Sequence, residues 1–175
     1  VDGLTPVNLG LIAAGNEAAA IAPATPLACI RLAESAAPLA GRRAVVVGRG
    51  RSVGRALIAM LINRDATVTV CHTKTPDLAA AIAPCDFVFV AAGRPGLITA
   101  AHLASGQIVI DAGINVVDDG AGGQRIVGDV AADGVAAKAA ALSPVPGGVG
   151  PLTTTLVFHN LLRAIELQGR VGRHR

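Results

Sequence analysis

The feature of the sequence that most constrains the fold is an apolar run that leads directly into a glycine-rich loop, AVVVGRGRSVG at residues 44–54. A parallel strand that is covered on both faces reads as such a continuous run, and the turn after it must be tight enough to begin a helix. Gly48 and Gly50 supply this turn without a Cβ clash, and Gly54 allows helix and sheet to approach closely. Together with a second strand at 66–70, the segment predicts a βαβ unit.

The same loop is a candidate phosphate site, because free N–H groups and the dipole at the start of a helix favour an anion. The spacing G-x-G-x-x-x-G is one residue longer than the usual dinucleotide fingerprint, so the prediction depends on the strand-loop-helix context.

The end of the second strand indicates which dinucleotide to expect. An NAD site normally carries an acidic residue there for the ribose hydroxyls, whereas residues 71–75 read CHTKT. Thr73 and Lys74, with Arg49 and Arg51 in the opposite loop, suit an additional phosphate group and therefore favour NADP. The alternative is that these cations form a solvated surface cluster.

Two further strands are predicted downstream, at 86–91 and 108–110. Each is followed by a turn that contains glycine, Gly93 after the first and Gly113 after the second. The carboxyl ends of parallel strands share one edge of a sheet, and this edge is where ligands bind. We therefore predict an α/β fold, a Rossmann-like open parallel sheet with helices on both faces.

Helix signals occupy the intervals between these strands. Thr25-Pro26 begins a predicted helix that runs to about residue 35, and Ser52 is suited to cap the helix after the glycine loop. The remaining predictions are a short helix at 77–83, a hairpin over 116–127, an alanine-rich helix after residue 130 and a long helix from 152 to about 168.

Composition restricts the class of protein. The chain has 175 residues, 52% hydrophobic but only 2% aromatic, which suits aliphatic helices on a parallel sheet. No apolar run reaches the roughly 18 residues that a membrane span needs, and much of the net charge of +3 comes from Arg170, Arg173 and Arg175 near the end. We expect a solvated tail there, and neither nucleic acid nor membrane as a partner.

The cysteines point to a reducing compartment. The chain has an odd number of cysteines, and their spacing is not that of metal ligands: Cys29, Cys71 and Cys85. We therefore expect these cysteines to be small buried side chains, with no disulfide framework and no metal site. A cytoplasmic location is the corresponding expectation.

Several blocks together resemble the bifunctional methylenetetrahydrofolate dehydrogenase/methenyltetrahydrofolate cyclohydrolase family. The resemblance covers almost the whole chain, and its most specific part is the Pro/Gly run before the long helix. The alternative interpretation of that run, a rigid loop without a ligand, is less favoured. The blocks are VDG at 1–3 with Asn8 and Gly10, PATP at 23–26, VVGR at 46–49, CHTKT at 71–75, IDAGIN at 110–115, GDV at 128–130 and PVPGGVGP at 144–151.

The resemblance implies an enzyme of one-carbon metabolism that oxidises methylenetetrahydrofolate with NADP and hydrolyses the methenyl product to formyltetrahydrofolate, feeding purine biosynthesis as a cytoplasmic homodimer. The implied cofactor-binding residues are Gly48, Arg49, Gly50, Arg51, Ser52, Gly54, His72, Thr73, Gly93, Gly113 and Ile114. The implied residues for the tetrahydrofolate substrate are Asp2, Pro146, Gly147, Gly148, Val149 and Gly150.

The implied organisation has three parts. Residues 1–26 form a connector and the edge of the folate site, and 27–151 form the NAD(P)-binding domain. Residues 152–175 form a C-terminal helix and tail that pack back towards an N-terminal catalytic domain. For Asp2, whose carboxylate suits the adjacent N–H donors of a pterin, the alternative is a frayed terminal residue.

The chain departs from the family pattern at three points. Ala24 stands where the family usually has a cysteine, and Gly50 stands where many members have serine. The family's catalytic lysine belongs to a Tyr-x-x-x-Lys pattern, but the chain contains no tyrosine and neither Lys74 nor Lys138 has such a setting. We therefore expect no catalytic residue in this segment and no turnover by the segment alone.

Two alternatives to the folate enzyme remain. The first is a dehydrogenase for another one-carbon carrier, such as a methanopterin, on the same scaffold. The second is a non-catalytic dinucleotide-binding module. NADP versus NAD preference, the balance of the two activities and the oligomeric state are left open by the sequence.

Overall fold

The computed structural model describes the backbone of residues 1–172 as a parallel sheet between two layers of helices. The sheet has the strand order β2-β1-β3-β4-β7, and all four of its neighbouring pairs are parallel. Its strands are β1 (Arg43–Val47), β2 (Thr67–Cys71), β3 (Phe87–Val90), β4 (Ile108–Asp111) and β7 (Ala141–Leu142). The predicted Rossmann-like fold is confirmed.

A separate antiparallel hairpin stands beside this sheet. It consists of β5 (Asn115–Asp118) and β6 (Gln124–Val127), with Val116 directly opposite Ile126. The hairpin confirms the prediction for 116–127.

Six helices accompany the strands in the described residues, with two 3₁₀ turns at Glu17–Ala19 and Ala100–His102. The helices are α1 (Pro6–Ala13), α2 (Ala24–Ala36), α3 (Gly54–Ile62), α4 (Leu78–Ile82), α5 (Ala132–Val135) and α6 (Val149–Gly172).

The hydrophobic core has two parts, one on each face of the sheet, because successive side chains of a strand point to opposite faces. Val46 of β1 and Phe87 and Phe89 of β3 pack against the side that carries α1, α2, α3 and α6. Val45 and Val88 pack on the other side, with residues of α4 and α5. The central strands β1 and β3 are buried on both faces beyond Arg43, as their continuous apolar sequences predicted.

Three local predictions are wrong. The alanine-rich stretch after residue 130 is not one helix: α5 is four residues long and contains Gly134 at φ +79°, and Ala141 and Leu142 form the edge strand β7. Ser52 does not cap α3, whose N-cap is Val53 without a side-chain hydrogen bond. Thr25 lies inside α2, which begins one residue earlier.

The long C-terminal helix α6 packs along α2 and begins three residues before its predicted start. The buried Asn160 fixes it to the N-terminal segment, because its Nδ2 donates to the carbonyl oxygens of Val1 at 2.9 Å and Ala22 at 2.8 Å. On its other side α6 exposes Phe158, Leu162 and Ile165, at 67%, 64% and 59%. The predicted tail residues Arg173 and Arg175, and the side chain of Arg170, lie outside the described residues.

Candidate functional site

Two cavities open at the carboxyl edge of the parallel sheet, where the sequence predicts the ligand site. Cavity A, of about 360 Å³, lies over the ends of β1, β2 and β3. Cavity B, of about 210 Å³, lies over the end of β4 beside the Pro/Gly run. Cavity A is lined by Val47, Gly48, Arg49, Gly50, His72, Thr73, Thr75, Leu78, Ala91, Ala92, Arg94 and Leu97.

The glycine loop forms one wall of cavity A, and its three glycines differ in their roles. Gly48 has φ +113°, and a Cβ atom there would overlap the carbonyl oxygen of Ala91 on β3. Gly54 at the start of α3 is buried against the backbone of Gly48, which confirms the close approach predicted for it. A Cβ atom added at Gly50 would have no other atom within 4 Å, and Gly50 has no positive φ. The prediction that the turn requires glycine at position 50 is therefore wrong.

The opposite wall of cavity A is a compact turn after β2. The Thr75 hydroxyl accepts the N–H of His72 at 2.9 Å, and the N–H of Thr75 donates to the His72 carbonyl oxygen at 2.8 Å. The N–H of Lys74 donates to Nδ1 of His72 at 3.1 Å. These bonds hold the imidazole and hydroxyl groups of the turn beside the cavity, opposite Arg49.

Cavity B is formed by the turn after β4 and the start of α6. Its lining is almost wholly apolar or backbone, and the Val145–Pro146 peptide bond within it is cis. The lining residues are Thr25, Asp111, Ala112, Gly113, Ile114, Ile126 and the run from Pro144 to Pro151.

Two buried aspartates hold the loops between the cavities. Asp129 is fully buried, and its carboxylate accepts the N–H groups of Ala92 at 2.6 Å, Gly93 at 2.8 Å and Arg94 at 2.9 Å. Asn115 at the base of the hairpin donates to the same carboxylate at 2.8 Å.

Asp111, at the end of β4, is the second of these aspartates. It accepts the N–H groups of Gly113 at 2.8 Å, Asp129 at 3.1 Å and Val130 at 2.9 Å. Burial raises the pKa of Asp111, and these hydrogen bonds act in the opposite direction because they stabilise the charged carboxylate.

The three cysteines are buried, as expected, and their thiols are free. Burial and, to a smaller extent, the charge of Asp111 together raise the pKa of Cys29 to about 12, so the Cys29 thiol is not an activated nucleophile. Burial also raises the pKa of Cys71 and of Cys85.

The structure distributes the predicted site residues between the two cavities. Cavity A brings together Gly48, Arg49, Gly50, His72 and Thr73, whereas cavity B brings together Gly113 and Ile114 with Pro146, Gly147, Gly148, Val149 and Gly150.

The other predicted residues lie outside both linings. Arg51 and Ser52 line a separate hollow with Leu4, Pro6 and Leu9. Gly93 contributes its N–H to Asp129, and the exposed Asp2 accepts the N–H of Ala24 at 3.4 Å.

Sequence reasoning missed Thr75 and Arg94 in cavity A, and both aspartates behind the loops. Arg94 carries a sequence signal that was available, because it lies in the glycine-containing turn after β3 at the predicted ligand edge. The role of Asp129 carries no comparable local signal, since its N–H donors lie 35–37 residues away along the chain.

In the part of the chain from 1 to 172, no helix is both long and apolar enough to cross a membrane. Among the same residues, no group of three or more His, Cys, Asp or Glu side chains is placed to hold a metal ion.

Comparison with known proteins gives high similarity to one set of enzymes. The chain is 49% identical over 170 residues to the bifunctional protein FolD of Heliobacterium modesticaldum, covering 97% of the chain and 57% of that protein. It is also 49% identical over 170 residues to FolD of Pelotomaculum thermopropionicum, covering 97% and 58%. The chain thus spans well under two thirds of the length of these relatives.

A solved structure shows the same fold. Trypanosoma brucei methylenetetrahydrofolate dehydrogenase-cyclohydrolase, solved with NADP cofactor and an inhibitor, superposes with a TM-score of 0.89 at 39% identity. The match covers 97% of this chain and 59% of that one. The profile described as tetrahydrofolate dehydrogenase/cyclohydrolase, NAD(P)-binding domain, matches residues 23–169. The chain therefore belongs to the tetrahydrofolate dehydrogenase/cyclohydrolase family and contains its NAD(P)-binding domain.

Proposed function

We propose that cavity A binds NADP and that the chain supplies the cofactor domain of a methylenetetrahydrofolate dehydrogenase/cyclohydrolase. The observation that carries the proposal is the position of Arg49 opposite the His72–Thr75 turn, in a cavity whose lining contains no carboxylate. An NAD site would place a carboxylate there to accept the ribose hydroxyls. The solved relative with bound NADP supports the same choice.

The groups around cavity A match the chemistry of an extra phosphate. A guanidinium group donates charge-assisted hydrogen bonds to phosphate oxygens, and the hydroxyls of Thr73 and Thr75 are additional donors. We place the adenosine phosphate end of the cofactor between the glycine loop and this turn, against Arg49. The positive end of the helix dipole at the start of α3 favours the pyrophosphate. Of the other predicted cofactor residues, Gly113 and Ile114 fit a cofactor end that reaches cavity B.

The substitution Arg49→Ala is expected to weaken NADP far more than NAD. Loss of a hydrogen bond to a charged group costs about 1.5–3 kcal/mol, which corresponds to about 10-fold to 150-fold in Kd. The Kd of each nucleotide for the wild-type chain and the variant, measured by isothermal titration calorimetry, checks this expectation.

Arg51→Ala is the matched control, because it removes the same charge from the same loop while its side chain lies outside cavity A. We expect a small and similar change for both nucleotides, since Arg51 acts only through the screened potential around the loop. Equal weakening of NADP and NAD by Arg49→Ala would contradict the assignment of Arg49 to the phosphate.

Cavity B is the proposed place for the tetrahydrofolate substrate. It adjoins the turn after β4, so a ligand there lies beside a cofactor that extends from cavity A. The apolar run from Pro144 to Pro151 fits a flat heteroaromatic ring, and hydride transfer between two such ligands is chiefly a matter of their positioning. We keep Asp2 as a proposed contact of the pterin, since a carboxylate that accepts the N–H of Ala24 through Oδ1 has further acceptor positions.

We propose that the catalytic group of the cyclohydrolase step lies outside these 175 residues. Hydrolysis of the methenyl product needs a proton carrier, and the family resemblance gives this role to a lysine in a Tyr-x-x-x-Lys pattern that a chain without tyrosine does not contain. The chain alone is then expected to bind NADP without oxidising methylenetetrahydrofolate. The organisation into 1–26, 27–151 and 152–175 belongs to this proposal, with the exposed face of α6 (Phe158, Leu162 and Ile165) directed towards the catalytic domain.

Three further parts of the proposal concern the cellular setting. Three free cysteines support a cytoplasmic, reducing location. The assignment to purine biosynthesis and the homodimeric state are supported by the family resemblance alone.

A further inference from the structure

We propose that Asp129 is a positioning residue that sets the shape of cavity A, and its carboxylate also bonds to the hairpin beside cavity B. The Gly128-Asp129-Val130 segment belongs to the family resemblance but contributes no side chain to cavity A. The inference rests on the proposed function, because cavity A is taken as the cofactor site.

The carboxylate of Asp129 organises the turn after β3. Its Oδ2 accepts the consecutive N–H groups of Ala92 at 2.6 Å and Gly93 at 2.8 Å, and its Oδ1 accepts that of Arg94 at 2.9 Å. Three successive amides around one anion form a concave nest. Ala92 and Arg94 line cavity A, so the carboxylate fixes the backbone from which the Arg94 side chain projects.

The same carboxylate reaches the hairpin. Oδ1 also accepts Nδ2 of Asn115, the first residue of β5, at 2.8 Å. Asn115 directly follows Ile114, which lines cavity B. One buried side chain therefore connects a wall of cavity A with the base of the hairpin at cavity B.

The backbone of Asp129 is itself held in place by hydrogen bonds. Its own N–H donates to Asp111 at 3.1 Å, and the N–H of Val130 donates to the same carboxylate at 2.9 Å. Its carbonyl oxygen accepts the N–H of Ile98 at 3.0 Å. With four donors on the carboxylate and the backbone fixed on both sides, Asp129 acts on the ligand only through the turn that it positions.

The substitution Asp129→Asn removes one acceptor oxygen and the negative charge but keeps the volume of the side chain, because asparagine has nearly the same shape as aspartate. Each carboxylate oxygen accepts two N–H groups, so the amide nitrogen faces two donors in either orientation of the side chain. The turn after β3 must then rearrange. We expect the Kd of NADP to rise at least tenfold in the folded variant, with Ala92, Gly93 and Arg94 losing protection from amide hydrogen exchange.

Asn115→Ala is the matched variant. It removes one donor to Asp129 and leaves the three amides of the turn in place, so we expect less than a threefold change in the Kd of NADP. Phe89→Leu, at a core residue that lines neither cavity A nor cavity B, shows how loss of stability alone affects the affinity for NADP. A purely structural Asp129 would behave like this core variant, with lower stability and unchanged Kd per folded molecule.

Each outcome decides the inference. Folded Asp129→Asn protein that binds NADP as the wild type does would overturn it, and so would unchanged exchange of the three amides. If Asp129→Asn does not fold, the wild-type chain decides: slow exchange of the amides of Ala92, Gly93 and Arg94 supports the nest, and fast exchange overturns it. Failure of the wild-type chain to bind NADP would contradict the proposed function instead, and amide exchange would then decide the role of Asp129.

Discussion

Replacing Gly48 by alanine is expected to destabilise the chain severely. Gly48 follows β1 with φ +113°, and its N–H donates to the carbonyl oxygen of Cys71 on β2 at 2.9 Å. An added Cβ would overlap the carbonyl oxygen of Ala91 on β3. The unfavourable φ costs about 1–3 kcal/mol, and forcing a methyl group against packed backbone costs about 1–3 kcal/mol more. Urea unfolding followed by circular dichroism measures the loss.

Gly50→Ala is the control in the same motif. Gly50 has no positive φ and no atom within 4 Å of a built Cβ, so we expect a change within about 0.5 kcal/mol. Equal unfolding midpoints for the two variants would contradict the account of the glycine loop, because the two positions would then be equivalent.

Replacing Gly128 by alanine is expected to disrupt the aspartate pair behind the two cavities. The new Cβ would overlap Oδ2 of Asp111, the atom that accepts the N–H of Val130, and would lie 3.0 Å from Cγ2 of Val145. Overpacking costs about 1–3 kcal/mol, and each buried N–H that loses its acceptor costs about 1–3 kcal/mol more. The free energy of unfolding in urea again measures the effect.

Gly10→Ala provides the comparison for Gly128→Ala. Gly10 lies within α1 and is exposed, and a Cβ atom added there would have no other atom within 4 Å. Alanine is favoured over glycine in a helix by about 0.5–1 kcal/mol, so this variant should be slightly more stable than the wild type. A wild-type midpoint for Gly128→Ala would contradict the tight packing assigned to the Asp111 carboxylate.

The sheet and its ligand edge could be predicted because their signals are local. The continuous apolar runs of β1 and β3 reflect burial on both faces, and the glycines that follow mark the turns at one edge. His72 and Thr73 line cavity A because the end of β2 lies beside that of β1, with Val47 paired to Cys71.

The errors arose where tertiary contacts override local preference. The alanine-rich stretch after Val130 has high helix propensity, yet Ala141 pairs with Ile108 and adds an edge strand to the sheet. Arg51 was assigned to the cofactor together with Arg49, and it lines a different hollow, with Leu4 and Leu9, so its assignment stays a prediction.

The hydrogen bonds that shape the site connect residues that are distant in sequence. Asp111 accepts an N–H from 19 residues away, and Asp129 accepts three from 35–37 residues away. An aspartate at the end of a strand is also a plausible ligand-binding or surface residue, so its buried role appears only once the loops are placed together.

The affinity of the wild-type chain for NADP relative to NAD tests the central claim most directly. Isothermal titration calorimetry of the two nucleotides at equal ionic strength gives both Kd values, and equal salt is needed because phosphate contacts are screened. With Arg49 and the hydroxyl-bearing turn of cavity A on the extra phosphate, we predict a Kd for NADP at least tenfold lower than that for NAD. Equal affinity, or tighter binding of NAD, would contradict the account.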